Sequence, residues 1–197
     1  MLLMDFDEVV VKRRSIRKFK ENPVPEKIIH KVLEAGRWAP SAGNSQPWRF
    51  IVVTDFEVKK RIATTFTEFS RRAWSKFSPE RARYLAAQGG SWDKSGMAKI
   101  PVLTAVCYKT VREIREELVL GSVWAAIENM LLAATAEGLG SCIYTFYNVE
   151  EENSLKELLG VPDGFRVAAM IQLGYAAVDP PTPSRKILSE IVSDQHF

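Results

Sequence analysis

A chain of 197 residues, 46% hydrophobic and 26% charged, has the size and composition of one globular domain with a substantial core, which excludes disordered and fibrous classes. Its formal charge of +3 is too small for whole-surface binding of nucleic acid and leaves room only for a local basic patch. Two distant cysteines, Cys107 and Cys142, two isolated histidines, His30 and His196, and no HExxH pattern exclude a disulfide framework and a metal centre of the usual kind.

The acidic start Asp5-Phe6-Asp7-Glu8 lacks the basic and apolar blocks of a secretory signal, so a cytoplasmic protein is expected. Phe6, Val9 and Val10 have helical spacing, which predicts a helix over residues 5–13. As the chain leaves that helix, Lys12 to Lys20 carries six positive charges in nine residues. Pro25 opens a second helix, with Ile28, Ile29, Val32, Leu33 and Gly36 on one face and an end near Trp38-Ala39-Pro40. A loop from Pro40 to Pro47 leads to a strand at Phe50 to Val53, and Val102 to Cys107 reads as a second buried strand.

Between them, residues 56–99 mix Phe66, Phe69, Trp74, Phe77, Tyr84 and Trp92 with Arg71, Arg72, Lys76, Arg81 and Arg83, and close on Gly89-Gly90 and Gly96. That composition predicts short amphipathic helices forming a mobile flap. A long helix follows over Glu113 to Glu137, apolar on nearly every side in its second half, as a central or interface helix would be. Ser122, Glu128, Asn129 and Thr135 interrupt its apolar stretch and argue against a membrane span. Gly138 and Gly140 end it, then come a strand over Ser141 to Phe146, a capped helix over Glu150 to Leu159 and a fourth strand over Val167 to Leu173. The proline-rich 179–197 segment is an extended tail carrying Arg185 and Lys186.

Helices and strands that do not alternate strictly predict a single α+β domain over residues 1–197, helices flanking a mixed central sheet, with a doubly wound sheet as the alternative. Gly138-Leu139-Gly140 is no dinucleotide fingerprint, since it lacks the third glycine and ends a helix instead of opening one.

Two segments carry candidate chemistry. Arg13, Arg14, Ser15, Arg17 and the remote Arg185 have the forked donors and hydroxyl that a phosphate takes, although a solvated cationic helix end is the plainer reading of the run alone. A nucleic-acid patch ranks third, because aromatic residues nearby are too few for stacking. In the Pro40 to Trp48 loop, Asn44 and Gln46 can read the polar edge of a heterocycle and Ser41 can bond a polyol or phosphate; composition alone makes it a helix-stop loop.

Taken together and in order, these segments resemble the nitroreductase family of FMN-dependent NAD(P)H oxidoreductases over nearly the whole length. The resemblance lies in Arg13-Arg14-Ser15-Ile16-Arg17-Lys18-Phe19, the Ala39 to Trp48 block, Asn129-Met130-Leu131-Leu132-Ala133-Ala134 running into Gly138-Leu139-Gly140-Ser141-Cys142, and Arg185. It implies an intertwined homodimer with FMN in two interface clefts and the long apolar helix at its centre. It also implies that Arg13, Arg14, Ser15 and Arg185 hold the phosphate and ribityl end and that Arg17 faces the pyrimidine edge. Pro40, Ser41, Asn44 and Gln46 then line the cleft from the partner subunit, while Cys142, Ile143, Tyr144 and Thr145 run along the ring, with a main-chain N–H near Tyr144 or Thr145. The resemblance further implies that hydride passes from NADH or NADPH through the flavin to a small electron-poor acceptor in ping-pong order, a reaction that needs no side-chain acid or nucleophile.

Two positions depart from the family pattern: Thr145, where many relatives have glycine, and Pro183, often basic in relatives. Competing readings are a specialised flavin enzyme such as a reductive dehalogenase, suggested by Glu80 and Tyr84 one turn apart without a lysine at matching spacing, and a non-catalytic flavin-binding module with Thr145 and the flap covering the ring. Nucleic acid and membrane partners are not expected.

Overall fold

A computed structural model describes residues 4–87, 93–146 and 148–196. Helix α1 spans Phe6–Lys12 and starts where the Asp5 carboxylate accepts the Glu8 N–H at 2.8 Å. Helix α2 (Glu26–Arg37) follows, then a 3-10 turn at Ala42–Asn44 and strand β1 (Trp48–Val53). Helix α3 (Phe56–Trp74), helix α4 (Pro79–Ala87) and a 3-10 turn at Ser95–Lys99 lead to β2 (Val102–Lys109). The remainder is α5 (Glu116–Ala136), β3 (Gly140–Tyr144), α6 (Val149–Leu159) and β4 (Phe165–Gly174), followed by a tail with one 3-10 turn at Leu188–Glu190.

The strands form one sheet in the order β1-β2-β4-β3, and every neighbouring pair is antiparallel. Among the described residues, parallel pairing, the element that would make the sheet mixed, is confined to an isolated bridge between Ser15 and Ser141. Strand β2 is buried on both faces, which explains its unbroken apolar run. Val102, Val106 and Tyr108 join α2 and α5 in one cluster; Leu103, Ala105 and Cys107 join α3 and α6 in another. The β2–β4 register shifts at Val106/Cys107, where Cys107 pairs with Val167 and Val106 with Ala169. This bulge leaves Ala168 unpaired and resets which β4 residues face each helical layer.

The 56–99 segment, where short amphipathic helices are expected, holds one long helix and one short. Its first half is one 19-residue helix, α3, begun by an Asp55 cap and buried through Ile62, Ala63, Phe66 and Phe69 at helical spacing. Lys59, also buried, donates to the carbonyls of Ile100 at 2.7 Å and Pro101 at 3.2 Å, tying α3 to the start of β2. Trp92 and the Gly89-Gly90 pair lie outside the described residues. Helix α5 starts at Glu116, not Glu113, because Glu113 takes a left-handed φ of 70°. By length and hydropathy α5 is able to cross a membrane, yet eight of its residues, Val119 through Ala134, are buried against the sheet and α2.

Candidate functional site

The basic run is held as a strand-like segment against the far edge of the sheet. Ile16 N–H donates to the Ser141 carbonyl at 2.8 Å, Lys20 N–H to the Tyr175 carbonyl at 2.8 Å, and Ala177 N–H to the Lys18 carbonyl at 2.9 Å. Ile16 is buried against Gly140, where a Cβ would sit 2.7 Å from Ile16 Cγ1. Glycine there lets the segment lie flat on β3, and the next residue is Arg17.

Arg17 therefore lines a cavity of about 380 Å³ whose other walls include Lys18, Lys94, Met97, Cys142, Ile143, Tyr144 and Gln172. Four cations, Arg17, Lys18, Lys94 and Lys99, face two carboxylates, Glu21 and Asp93, around it, so its field is positive. Lys99 is occupied by Glu21 at 3.0 Å. Burial pulls the Lys94 ammonium below the usual lysine range, opposed by the negative charge of Glu151. Burial also pushes the Cys142 thiol up, and the nearby Arg17 and Lys94 only offset this, so Cys142 is a wall and not a nucleophile.

Tyr144 ends β3 and is gripped from behind. Its ring stacks on Phe66 with centroids 4.5 Å apart, its hydroxyl donates to Glu151 Oε1 at 2.6 Å, and Ser70 Oγ lies 3.2 Å from the same hydroxyl. Glu151 is fully buried in the first turn of α6, where the Asn148 side chain caps its N–H at 2.9 Å. Lys94 Nζ lies 5.4 Å from the Tyr144 ring centroid.

The remaining expected residues are not gathered at this cavity. Arg13 pairs with Glu128 of α5 at 3.1 Å; Arg14 bonds the carbonyls of Val11 and Arg13 and reaches Thr182 in the tail at 3.3 Å. Ser15 contributes its main chain, its carbonyl accepting from Arg17 at 3.4 Å, and Arg185 is exposed and bonded to the Ser184 carbonyl. Thr145 lines a separate 590 Å³ cavity with Trp124, Glu116, Glu152 and Arg166.

The Pro40 to Pro47 loop precedes β1, at the opposite edge of the sheet from β3. It holds an unusual shape: Gly43, Asn44 and Gln46 have φ of 57°, 52° and 45°, which for the two non-glycine residues costs about 1 kcal/mol each. Ser41 Oγ accepts the Gln46 N–H at 3.0 Å, the Gln46 amide donates to Asn44 Oδ1 at 3.2 Å, and Ala42 N–H donates to Ser122 Oγ of α5 at 3.0 Å. Among the described residues the Ser45 hydroxyl is buried without a hydrogen-bond partner. Gln46 borders an 830 Å³ groove between α2 and β1, apart from the cavity that Arg17 lines.

Sequence reasoning missed Lys94, Glu151 and Ser70. The Asn148-x-x-Glu151 cap was readable as a helix start, but nothing local ties Glu151 to Tyr144.

A family model described as "Nitroreductase family" matches residues 10–175. A protein of Archaeoglobus fulgidus named "Putative NADH dehydrogenase/NAD(P)H nitroreductase" is 32% identical over 169 residues, 85% of this chain and 83% of its own. An iodotyrosine deiodinase of Thermotoga neapolitana is 29% identical over 177 residues, 89% of this chain and 90% of its own. Among solved structures, an oxidised iodotyrosine deiodinase bound to FMN and 3-iodo-L-tyrosine superposes with a TM-score of 0.85 at 26% identity, over 97% of this chain and 99% of that one. With its motifs, its α+β architecture and a family match over residues 10–175 in agreement, the chain belongs to the nitroreductase family.

Proposed function

We propose that this protein is an FMN-dependent oxidoreductase that takes hydride from NADH or NADPH and passes it to a small electron-poor acceptor, a nitroaromatic, a quinone or a similar compound. The observation that carries the reading is Arg17, fixed by the Ile16–Ser141 pairing in one cavity with Cys142, Ile143 and Tyr144, in a chain that superposes closely on an FMN-bound relative. FMN, when bound, supplies the ring that accepts and donates hydride.

The donor set fits that cofactor. Arg17 would hold the pyrimidine edge and stabilise negative charge there, and Lys94 would add a second cation. The wall from Cys142 to Tyr144 would lie along the ring, held in place by the Tyr144 anchor. Arg13, Arg14 and Arg185 would turn to the phosphate, and the strained loop with its unpartnered Ser45 hydroxyl would meet the cleft as Pro40, Ser41, Asn44 and Gln46 of the partner subunit. Reductant and acceptor then visit the same cleft in turn, a ping-pong order.

Two copies associate in this reading. Strand β1 is a sheet edge, Trp124 and Leu118 of α5 are incompletely buried, and the tail exposes Ile187, Leu188, Ile191 and Val192. An intertwined homodimer covers such surfaces. The two buried thiols accord with a cytoplasmic setting.

Purified protein is expected to be yellow and to bleach anaerobically with NADH or NADPH, then to recover on adding nitroaromatic or quinone. Colourless protein that takes up no FMN would remove the reading, and bound FMN that neither nucleotide reduces would leave a non-catalytic binder.

A second reading, reductive dehalogenation, is favoured by the deiodinase relatives; Lys94 lines the Arg17 cavity, while Glu80 and Tyr84 stand on α4 and do not line it. In that reaction the carbon–halogen bond of a halotyrosine breaks, the halogen leaves as halide, and the carbon takes one proton from solvent with two electrons supplied by the reduced cofactor. Halide release from 3-iodotyrosine by the reduced protein tests it, and failure of that compound to reoxidise the flavin excludes it.

A further inference from the structure

We propose that Glu151 is the counter-charge of the flavin cleft, a positioning residue that acts through Tyr144 and Lys94 to set the cofactor's reduction potential. This inference rests on the flavin reading above. The geometry is unusual for a carboxylate: Glu151 is fully buried and lies in the first turn of α6, where the helix dipole favours negative charge. Its oxygen takes the Tyr144 hydroxyl at 2.6 Å, and the ring of that tyrosine forms a wall of the Arg17 cavity. Lys94 stands 5.4 Å from the same ring, so a negative group behind the wall faces a positive group in front of it.

The titratable and charged groups around Lys94 are Arg17, Cys142, Asp93 beside it and Glu151 behind Tyr144; burial disfavours the ammonium most, and of these groups Glu151 does most to favour it. Two cations next to a ring that becomes anionic on reduction favour the reduced form, and a buried carboxylate opposes them. The balance between the two fixes how strongly the protein holds reduced over oxidised flavin.

The test is a charge cycle in the FMN-loaded protein, with potentials measured anaerobically against a reference dye and the affinity for oxidised FMN measured separately. Glu151→Gln keeps the shape and the hydrogen-bond acceptor and removes the charge; it should raise the ratio of reduced to oxidised FMN affinity roughly tenfold, about 30 mV for a two-electron couple. Lys94→Gln should lower the ratio to a similar extent, and the double variant should return to within threefold of the parent. Tyr144→Phe loses the same hydrogen bond without losing the charge and reports loosening alone, so its shift should be under a third of that of Glu151→Gln.

Equal shifts in Tyr144→Phe and Glu151→Gln, or none in Glu151→Gln, overturn the proposal in favour of a packing role. Should Glu151→Gln fail to fold, Lys94→Gln decides: an unchanged potential overturns the proposal. A second readout needs no flavin. In cofactor-free protein, the pH at which Lys94 reaches half its maximal acetylation rate, followed by mass spectrometry, should fall in Glu151→Gln, and an unchanged value refutes the coupling. Protein that takes up no FMN sinks the flavin reading and leaves that acetylation comparison as arbiter.

Discussion

Gly140→Ala is a direct test of whether the seating of the basic segment on β3 builds the site. The added Cβ would lie 2.7 Å from Ile16 Cγ1, 2.9 Å from its Cβ and 3.0 Å from Cγ2. Favourable carbon contacts begin at about 3.5 Å, so Ile16 has to withdraw by roughly 0.5–0.8 Å. Ile16 is held by its N–H bond to Ser141 at 2.8 Å and by burial, so the withdrawal strains both. Overpacking of this kind costs about 1–3 kcal/mol, and weakening the hydrogen bond adds roughly 1 kcal/mol. We therefore expect destabilisation of about 2–4 kcal/mol by urea unfolding and, because Arg17 moves with Ile16, at least a tenfold weaker FMN affinity by fluorescence titration. Ile16→Ala removes two of the three clashing atoms, so the double variant should recover part of both losses relative to additivity. A Gly140→Ala protein as stable as the parent within 0.5 kcal/mol, with unchanged FMN affinity, would refute this account of the seat.

Other outcomes follow from the same geometry. Arg17→Ala should weaken FMN binding or slow flavin reduction more than Lys18→Ala, since Arg17 stands on the motif position; equal retention and equal rates contradict the assignment. Asn148→Ala removes the α6 cap and should lower stability by about 1 kcal/mol, read from the urea midpoint at unchanged slope. Burial pushes the Cys107 thiol up to about 11. In the unfolded chain it ionises near its ordinary value of about 9, so the folded state keeps a proton that the unfolded state loses and stability falls as pH rises from about 9 to about 11. Cys107→Ala should flatten that alkaline limb, and an unchanged slope would show that the thiol does not drive it.

Much of the fold was readable because its signals are local. The β-branched run from Val102 is buried on both faces and so had no polar alternation to confuse it, and the apolar breadth of α5 reflects contact with the sheet, α2 and α1 together. Helix α3 is longer than the short amphipathic helices that the composition of 56–99 suggests, because Ile62, Phe66 and Phe69 point inward at helical spacing while its arginines face outward. At the site, Arg17 and the Cys142 to Tyr144 wall were legible as motifs, since the pairing of Ser15 with Ser141 brings them together. Lys94, Ser70 and Glu151 were not, because their meeting at Tyr144 joins three segments far apart in sequence and depends on how α3 and α6 pack behind the sheet.

The strand order β1-β2-β4-β3 keeps the amide-bearing loop and the arginine segment two strands apart, at rims that one chain cannot fold onto each other. In the proposed dimer each polypeptide thus supplies the front of one cleft and the back of the other. Mixing a chain crippled at Arg17 with one crippled at Gln46 would give a hybrid with one doubly damaged cleft and one sound one, so two inactive parents would complement each other to about half activity per hybrid.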